Sequence, residues 1–162
     1  MTDAFLVNRR VLIVEEDLAV RDLVTDLFDF WGARASTVGA IDAALETTGL
    51  AEYDLVVLSW DFQAACPGRI LSRIELMRPG GPGLVVTSAR GLGSGPVPLR
   101  LGGSKLAVIV KPFSMEALRL TSRSALISSW VARAVAADVH RLALPMPSLH
   151  LEVGVSTFCG AA

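Results

Sequence analysis

The stretch VLIVEEDLAVRDLVTDLFDFWG, residues 11–32, joins a strand pattern to a helix pattern. Its first part, VLIVE, is a continuous apolar run, which is typical of a strand buried on both faces of a sheet. Its second part repeats apolar residues at spacings of three and four, which predicts an amphipathic helix that ends at Gly32. The inward positions predicted for this helix are Val20, Leu23, Val24, Leu27, Phe28 and Trp31. A buried strand followed by a helix indicates a βα unit.

The same alternation continues along the chain. Further strands are predicted in ARASTV (33–38), DLVVLS (54–59), GLVVTS (83–88) and LAVIV (106–110). Helices are predicted from Ile41 to near Gly49, in 68–80 and from Ser114 onward. Strands separated by helices are parallel, so we predict an α/β fold with a five-stranded, doubly wound, flavodoxin-like sheet covered on both faces. One segment breaks the pattern. In GLGSGPVPLRLGGS (91–104), glycine and proline oppose a helix, and we expect a loop or at most one helical turn.

Composition sets the limits on the kind of protein. With 162 residues, 52% of them hydrophobic and 19% charged, the chain is long enough for one domain with a proper core. No uncharged apolar run approaches the length of a membrane span, and the N-terminus lacks the pattern of a secretory signal, so we expect a cytoplasmic protein without membrane association. Cys66 and Cys159 have no metal-like spacing and are interpreted as free thiols.

The net charge of −1 conceals an asymmetry between the two parts of the chain. Residues 1–62 carry twelve acidic and four basic residues, whereas residues 63–162 carry four acidic and eleven basic residues. Such a split can mark a binding arm. Because the acids cluster at strand ends and on one helix, we favour pairing of the two parts within the fold.

Polar residues collect where the predicted strands end. In a parallel sheet of this kind, functional groups gather at the carboxyl ends of the strands. The residues expected at this rim are Glu15, Glu16 and Asp17 after strand one, Ser59 and Asp61 at strand three, Thr87 and Ser88 at strand four, and Lys111 and Pro112 after strand five. Acids, hydroxyls and a lysine are therefore predicted to converge on one edge.

Four motifs in this order resemble the receiver domain of bacterial response regulators. They are VLIVEEDLAVRDLV, YDLVVLSW, VVTSAR and VIVKPF, and the resemblance covers residues 10 to about 121. It implies that an acidic pair (Glu15 and Glu16) holds Mg²⁺ and that the end of strand three accepts a phosphoryl group from a histidine kinase. It further implies that the hydroxyl of Thr87 moves to the phosphate, that Lys111 neutralises it, and that a cis bond precedes Pro112.

The chain departs from the family where this chemistry takes place. The phosphoacceptor position is Ser59, and a serine hydroxyl is protonated at neutral pH and needs a base to become a nucleophile. Glu16 replaces the usual Asp, and its longer side chain, together with the missing carboxylate, is expected to weaken Mg²⁺ binding. Val108 occupies the aromatic switch position and has no ring to rotate. Ordinary phosphotransfer is therefore predicted to be lost.

Several interpretations of the rim remain open. Lys111 is predicted to form a structural salt bridge with Glu15 and Glu16, while a Mg²⁺ site on those two acids is the alternative. Asp61 is interpreted as a turn residue, with a surrogate phosphoacceptor as the alternative. Thr87 and Ser59 are expected to be hydrogen-bonded hydroxyls at strand ends, and no catalytic residue is assigned.

The C-terminal part extends beyond the family pattern. We predict a receiver-like domain in residues 1–121 and an extension in 122–162 made of a helix and a strand-like tail. One apolar stripe of the helix is formed by Leu120, Ile127, Val131, Val135 and Leu142, and a neighbouring basic face by Arg119, Arg123, Arg133 and Arg141. The stripe is predicted to pair with a second copy of the chain, and folding back onto the same domain is the alternative. His140 and His150 have no metal-ligand spacing.

These observations favour a receiver without enzymatic activity that signals by protein contact independently of phosphorylation. Its expected partners are a second copy of itself and a histidine kinase or another signalling protein, with no cofactor. One alternative is an active phosphoacceptor that uses Asp61 with Mg²⁺ on Glu15 and Glu16. Another is a DNA-binding regulator acting through the basic face, although no helix-turn-helix or stacking aromatics accompany it.

Overall fold

The computed structural model describes residues 3–46, 49–61, 68–77, 81–89, 100–101, 104–105 and 107–142. The strands in these ranges are β1 (Arg10–Val14), β2 (Arg34–Val38), β3 (Leu55–Ser59), β4 (Gly83–Ser88), β5 (Arg100–Leu101), β6 (Ser104–Lys105) and β7 (Ala107–Val110). The helices are α1 (Leu18–Phe30), α2 (Ile41–Glu46), α3 (Gly68–Leu76) and α4 (Met115–Leu142), with a 3-10 turn at Leu50–Glu52.

Five strands form one parallel sheet in the order β2-β1-β3-β4-β7. The predicted five-stranded, doubly wound fold is therefore confirmed. The central strands β1, β3 and β4 are buried almost throughout, whereas the edge strands β2 and β7 are mostly partly buried or exposed. Central strands covered on both faces need apolar residues at every position, which explains why their sequences were readable as continuous runs. The strand order reverses between β1 and β3.

Two apolar clusters lie on the two faces of the sheet. Residues of α1 and α4 pack against one face, where Phe28, Trp31 and Leu126 are among the buried side chains. Residues of α2 and α3 pack against the other face, where Ile70 and Ile74 are fully buried. The core therefore has the three-layer arrangement expected of alternating strands and helices.

Helix α1 begins and ends as its sequence predicts. The carboxylate of Asp17 accepts a hydrogen bond from the backbone N–H of Val20 at 3.0 Å and caps the first turn. Gly32 has φ 86°, the left-handed conformation that favours glycine after a helix. The inward prediction for Leu23 is wrong, since its side chain is 58% exposed. On a helix Leu23 lies 100° from Val24, which faces the sheet, so it falls on the flank.

Helix α4 is the long C-terminal helix that the sequence predicts, and at 28 residues it is about 42 Å long. It continues without a break across residues 121 and 122. Leu118, Leu126 and Ser129 are buried against the sheet side of the domain, and Ser129 Oγ donates a hydrogen bond to the carbonyl of Gly81 at 2.9 Å. The first four turns of α4 thus belong to the packed core.

Most of the segment between β4 and β7 lies outside the described residues. The loop predicted in 91–104 falls within this segment, so most of it lies outside them too. Its described residues include the short strands β5 and β6, which pair antiparallel. The strand-like tail, Cys66, Cys159 and His150 also lie outside the described ranges. Among the residues that the structure does describe, no helix has both the length and the apolar character needed to cross a membrane.

Candidate functional site

The carboxyl ends of β1, β3, β4 and β7 meet at one edge of the sheet, beside the reversal of strand order. In open α/β sheets this edge is where ligands bind. Ser59 pairs in register with Thr87 across β3 and β4, and both side chains are buried. The backbone N–H of Lys111 donates to the carbonyl of Ser88 at 2.8 Å, which fixes the end of β7 beside β4. The fold therefore brings the predicted rim residues into one neighbourhood.

The ammonium group of Lys111 connects three strand ends. Its Nζ donates hydrogen bonds to Glu15 Oε2 at 2.7 Å and to Ser59 Oγ at 3.1 Å, and it lies 3.5 Å from Asp61 Oδ2. The side chains of Lys111 and Glu15 are only 17% and 8% exposed. Electrostatic attraction is stronger in such partly dry surroundings than at the surface, although both ions have lost hydration to reach it. Lys111 is therefore the electrostatic centre of the site.

The three consecutive acids after β1 have different surroundings. Glu15 turns inward, where Oε2 accepts from Lys111 and Oε1 accepts from the backbone N–H of Asp17 at 3.2 Å. Asp17 caps α1, and Glu16 is exposed. A Mg²⁺ ion needs several oxygen ligands in near-octahedral geometry. Because Glu15 is bound by Lys111 and Ser59 supplies a hydroxyl instead of a carboxylate at the end of β3, the residues present do not fit the Mg²⁺ site that the family resemblance implies.

The positions of the possible metal ligands also disagree with a Mg²⁺ site. Within the described part of the chain, no group of three or more His, Cys, Asp or Glu side chains is placed to hold a metal ion.

The carboxylate of Asp61 accepts hydrogen bonds from two residues at the end of β4. Oδ1 accepts a hydrogen bond from Ser88 Oγ at 3.0 Å, and Oδ2 accepts from the backbone N–H of Ala89 at 2.7 Å. The backbone N–H of Asp61 in turn donates to Ser59 Oγ at 3.4 Å. Asp61 thus links the ends of β3, β4 and β7, a role well beyond that of a turn residue.

The hydroxyl that meets Asp61 belongs to Ser88, which the sequence reasoning placed at the rim without assigning it to the site. Thr87 was assigned instead, and its side chain is buried on the opposite side of the strand. Adjacent strand residues point to opposite faces, and VVTS ends in two hydroxyl residues, so polarity alone does not separate them. Every residue except proline also carries a backbone N–H, so the sequence offers no signal that separates Ser88 from Thr87.

Two further residues predicted from the sequence lie close to Lys111 in the chain, at positions 108 and 112. Val108 pairs with Val86 and is half-buried against the cluster on the α2 and α3 side. The bond between Lys111 and Pro112 is cis, as the family resemblance implies. Val108 thus contributes to packing at the position where the family carries a ring.

An open cleft of about 470 Å³ lies over these groups. It is lined by Glu15, Glu16, Asp17, Val20, Asp61, Ala89 and Lys111. Four of these seven residues carry a carboxylate and one an ammonium group, so the described part of the lining is acidic.

Solved structures with the same architecture include bacterial receiver domains. A response regulator receiver domain protein from Bacillus halodurans matches with a TM-score of 0.61 and 18% identity over 73% of this chain and 97% of that chain. The signal receiver domain of a protein described as a LuxO repressor from Vibrio parahaemolyticus matches with a TM-score of 0.66 and 16% identity over 80% of this chain and 98% of that chain. This chain has the receiver fold.

A further match is NtrX from Brucella abortus, with a TM-score of 0.66 and 25% identity over 84% of this chain. The match spans only 30% of NtrX, so it relates this chain to one part of that protein. No protein-family model and no curated protein sequence matches the chain.

On this receiver fold, the predicted apolar stripe of α4 points away from the sheet. Leu120, Ile127, Val131 and Val135 are 50%, 41%, 56% and 58% exposed. Leu142 is the last residue of α4, and its side chain lies outside the described part. The four side chains form one apolar face along the outer side of the helix.

The predicted basic face of α4 is partly neutralised by the N-terminal segment. Arg119 and Arg123 lie 2.8 Å and 3.9 Å from Asp3 Oδ2, and the Asp3 side chain is only 3% exposed. Arg119 also binds Glu116 through two hydrogen bonds of 2.8 Å and 2.6 Å. This bonding holds the pKa of the Glu116 carboxyl below its ordinary value of 4.5 and raises the pKa of Arg119 above its already high one. These two arginines are thus committed to contacts within the chain.

Proposed function

We propose that this chain is a receiver-fold signalling module that acts by protein contact and is not switched by phosphorylation. The observation that carries the proposal is Ser59 at the end of β3. Its Oγ accepts hydrogen bonds from Lys111 Nζ and from the backbone N–H of Asp61. Both groups are donors, so neither can take the hydroxyl proton, and an alcohol without a base is a poor nucleophile at neutral pH.

The surroundings of Ser59 support the same proposal. An attacking group also needs stabilisation of the charge that develops on the phosphoryl oxygens. Lys111, the one cation among the described residues that line the cleft, is already bound to Glu15 and lies beside Asp61. Without catalytic chemistry of its own, the proposed module is a binding protein and not an enzyme. The receiver fold favours a two-component setting in the cytoplasm, with a histidine kinase or another signalling protein as partner.

Incubation of the purified protein with Mg²⁺ and acetyl phosphate, followed by intact-mass measurement, tests the proposal. We expect the mass to stay unchanged. A gain of one phosphoryl group would contradict phosphorylation independence, and its loss in Asp61→Asn would establish the surrogate acceptor instead. Loss in Ser59→Ala would place the acceptor on the serine.

We further propose that the apolar stripe of α4, defined by Leu120, Ile127, Val131 and Val135, joins two copies of the chain. The support is the half-exposed state of all four side chains on one face of a continuous helix. Burying such a stripe against its own copy requires only one self-complementary surface, which is the simplest route to a symmetric dimer. Nucleic acid is a less suitable partner for α4, because Arg119 and Arg123 already contact Asp3.

A further inference from the structure

Residues 3–9, which precede β1, form a compact turn against two helices. The carbonyl of Asp3 accepts hydrogen bonds from the backbone N–H groups of Leu6 and Val7, both at 2.9 Å. Asn8 then has φ 61°, a left-handed conformation that asparagine adopts more readily than most residues, and it turns the chain into β1. We refer to residues 3–9 as the N-terminal strap.

One side of the strap is fastened to the end of α1. The backbone N–H of Asp3 donates to the carbonyl of Trp31 at 3.1 Å, and that of Asn8 donates to the carbonyl of Gly32 at 2.8 Å. Leu6 lies between these two residues of the strap, and its side chain is fully buried in the cluster that α1 and α4 share. The strap is therefore anchored where α1 ends.

The other side of the strap is fastened to α4 by an ionic contact. Asp3 Oδ2 accepts a hydrogen bond from Arg119 at 2.8 Å and lies 3.9 Å from Arg123. Asp3 Oδ1 accepts from the backbone N–H of Phe5 at 2.9 Å, and the Asp3 side chain is only 3% exposed. Burial of a charge is costly unless it is paired and hydrogen-bonded, so these partners are what allow Asp3 to lie there.

Aromatic rings make a second contact between the strap and α4. The rings of Phe5 and Trp130 are stacked, with centroids 6.4 Å apart. The guanidinium of Arg9 lies 4.5 Å from the centroid of the Trp130 ring, and that of Arg123 lies 4.4 Å from the centroid of the Phe5 ring. Stacked rings and cations over ring faces attract one another at such distances. Two residues of the strap thus hold Trp130.

The strap meets a different face of α4 from the one that lies on the sheet. The residues of α4 that contact it are Arg119, Arg123 and Trp130. At about 100° per residue, they fall within about 40° of one another around the helix. The side chains buried beneath α4 are those of Leu118, Ser122, Ala125, Leu126 and Ser129. The centre of this buried face lies about 100° from the strap in one direction, and the apolar stripe lies about 100° from it in the other.

We propose that the N-terminal strap is a conformational device that holds the outer turns of α4 and fixes the direction in which the apolar stripe faces. A helix held along one line can roll on a sheet, whereas a helix held along two lines about 100° apart cannot. Trp130 lies where the buried side of α4 ends, so the strap acts on the turns at which the sheet contact runs out. Opening of the strap releases these turns and changes the surface that α4 presents. This role is independent of phosphorylation and of what covers the stripe.

Hydrogen exchange of backbone amides in the full chain, followed by NMR, tests the proposal. Asp3→Asn removes the charge that pairs with the two arginines of α4, and Phe5→Ala removes the ring stacked on Trp130. We expect the amides of residues 126–134 to exchange about tenfold faster in each variant, because the turns to which they belong open more easily without the strap.

The wild-type protein gives a further test without any substitution. The backbone N–H of Asn8 is bonded to Gly32, so it exchanges when the strap opens. We expect Asn8 and residues 126–134 to share one opening free energy, lower than that of the amides in β3, because the strap and the outer turns of α4 open together.

The direction of α4 has a readout of its own. The side chain of Leu126 is fully buried and lies between the sheet side and the strap side of the helix. A soluble gadolinium chelate broadens the NMR signals of methyl groups that solvent reaches. The Leu126 methyl signals should stay sharp in the wild type and broaden in Asp3→Asn and Phe5→Ala.

Three controls make the result specific. Asp42→Asn removes a carboxylate from an exposed ion pair with Arg69, and Phe30→Ala removes a half-exposed ring from α1. Ile70→Val deletes a buried methylene on the opposite face of the sheet and lowers the stability of the whole domain. All three should keep residues 126–134 at the wild-type rate, since a local opening of α4 involves none of them.

The opposite results are equally clear. If Asn8 exchanges faster in the two strap variants while residues 126–134 do not, the strap opens without effect on α4 and the proposal is overturned. Equal acceleration of residues 126–134 in Ile70→Val, or Leu126 methyl signals that stay sharp in both strap variants, would overturn it as well. If neither strap variant folds, the wild type decides, because an Asn8 amide that exchanges as fast as a solvent-exposed amide would show that the strap does not hold.

Discussion

Ser59 stands where the family resemblance implies a carboxylate, and a carboxylate follows two residues later, at Asp61. The serine stands at the end of β3 and accepts hydrogen bonds, while the carboxylate two residues later reaches across to β4. A carboxylate at the position of Ser59 would lie close to Lys111 and Glu15. The negative charge has thus moved within the pocket by two positions of the chain.

Moving the carboxylate back should restore phosphoryl chemistry. We expect Ser59→Asp combined with Asp61→Asn to gain one phosphoryl mass with Mg²⁺ and acetyl phosphate, because an ionised nucleophile is restored and the charge of Asp61 is removed from Ser88, Ala89 and Lys111. Ser59→Asp alone should react less, since the carboxylate of Asp61 still accepts the hydrogen bonds from Ser88 and Ala89. Intact mass measures all three proteins together, and a double variant that stays unmodified would show that other residues also prevent the reaction.

Lys111 should be important for stability. We expect Lys111→Met to lower the free energy of unfolding by about 3 kcal/mol, because it leaves the carboxylate of Glu15 buried without its ammonium partner. Urea denaturation measures the change. The double variant Glu15→Gln/Lys111→Met should recover part of the loss, because it removes the stranded charge. Equal stability of Lys111→Met and the wild type would mean that water reaches Glu15 freely.

At the scale of elements, the helices and strands are the part of this structure that the sequence predicts best. Strands β1, β3 and β4 are buried on both faces, so nearly every position must be apolar, and the pattern is visible without tertiary information. Gly32 marked the end of α1 for a local steric reason. The contact of Asp61 with Ser88 and Ala89 was not predictable, because it depends on the direction of a loop after β3.

Ion pairs connect elements from the two oppositely charged parts of the chain. The acidic first part of the chain and the basic second part meet in ion pairs, as the sequence suggested. Acids before residue 63 pair with bases after it at Asp3 with Arg119, Asp42 with Arg69, and Glu15 with Lys111. The asymmetry along the sequence is therefore partly balanced within the fold.

The close approach of β4 to α4 gives a prediction about packing. A Cβ atom at Gly83 would lie 2.8 Å from the carbonyl oxygen of Ala125, which is helix backbone. We expect Gly83→Ala to destabilise the protein by about 1–3 kcal/mol, because the helix has to shift. Thermal or urea denaturation checks this. Gly49→Ala is the matched control, because its Cβ would meet only the flexible side chain of Glu52 at 3.2 Å.

The first turn of α4 gives a prediction about pH. The hydrogen bonds from Arg119 lower the pKa of Glu116, so their contribution is complete above 4.5 and is lost as the pH falls through the folded-state value. An NMR titration of the Glu116 carboxyl should give a pKa below 4.5, and Arg119→Met should return it toward that value. An unchanged pKa in Arg119→Met would assign the shift to another cause.

At the scale of the whole molecule, the apolar stripe of α4 predicts the oligomeric state. We expect the wild type to be a dimer by analytical ultracentrifugation and Val131→Glu to be a monomer, because the variant places a charge in the centre of the stripe. Ala137→Glu adds the same charge at an exposed position of α4 away from the stripe, and should remain dimeric.

The alternatives to this dimer give different results. A wild-type monomer at high concentration would remove the proposed interface. A monomer that becomes dimeric after truncation at residue 142 would instead show that residues 143–162 cover the stripe. Truncation at residue 121 is unsuitable, because Leu126 and Ser129 belong to the packed core.

The length of α4 has a consequence for anything joined to its end. Ser129 and Trp130 are the last residues of α4 described in contact with the core, and the helix runs on to Leu142, so just under ~20 Å of helix lies beyond that contact. A fluorophore or a fused module placed there would be held at a fixed reach from the sheet, in a direction set by the domain. The domain therefore comes with a built-in lever arm, whose standoff distance could be read by energy transfer between its tip and the cleft.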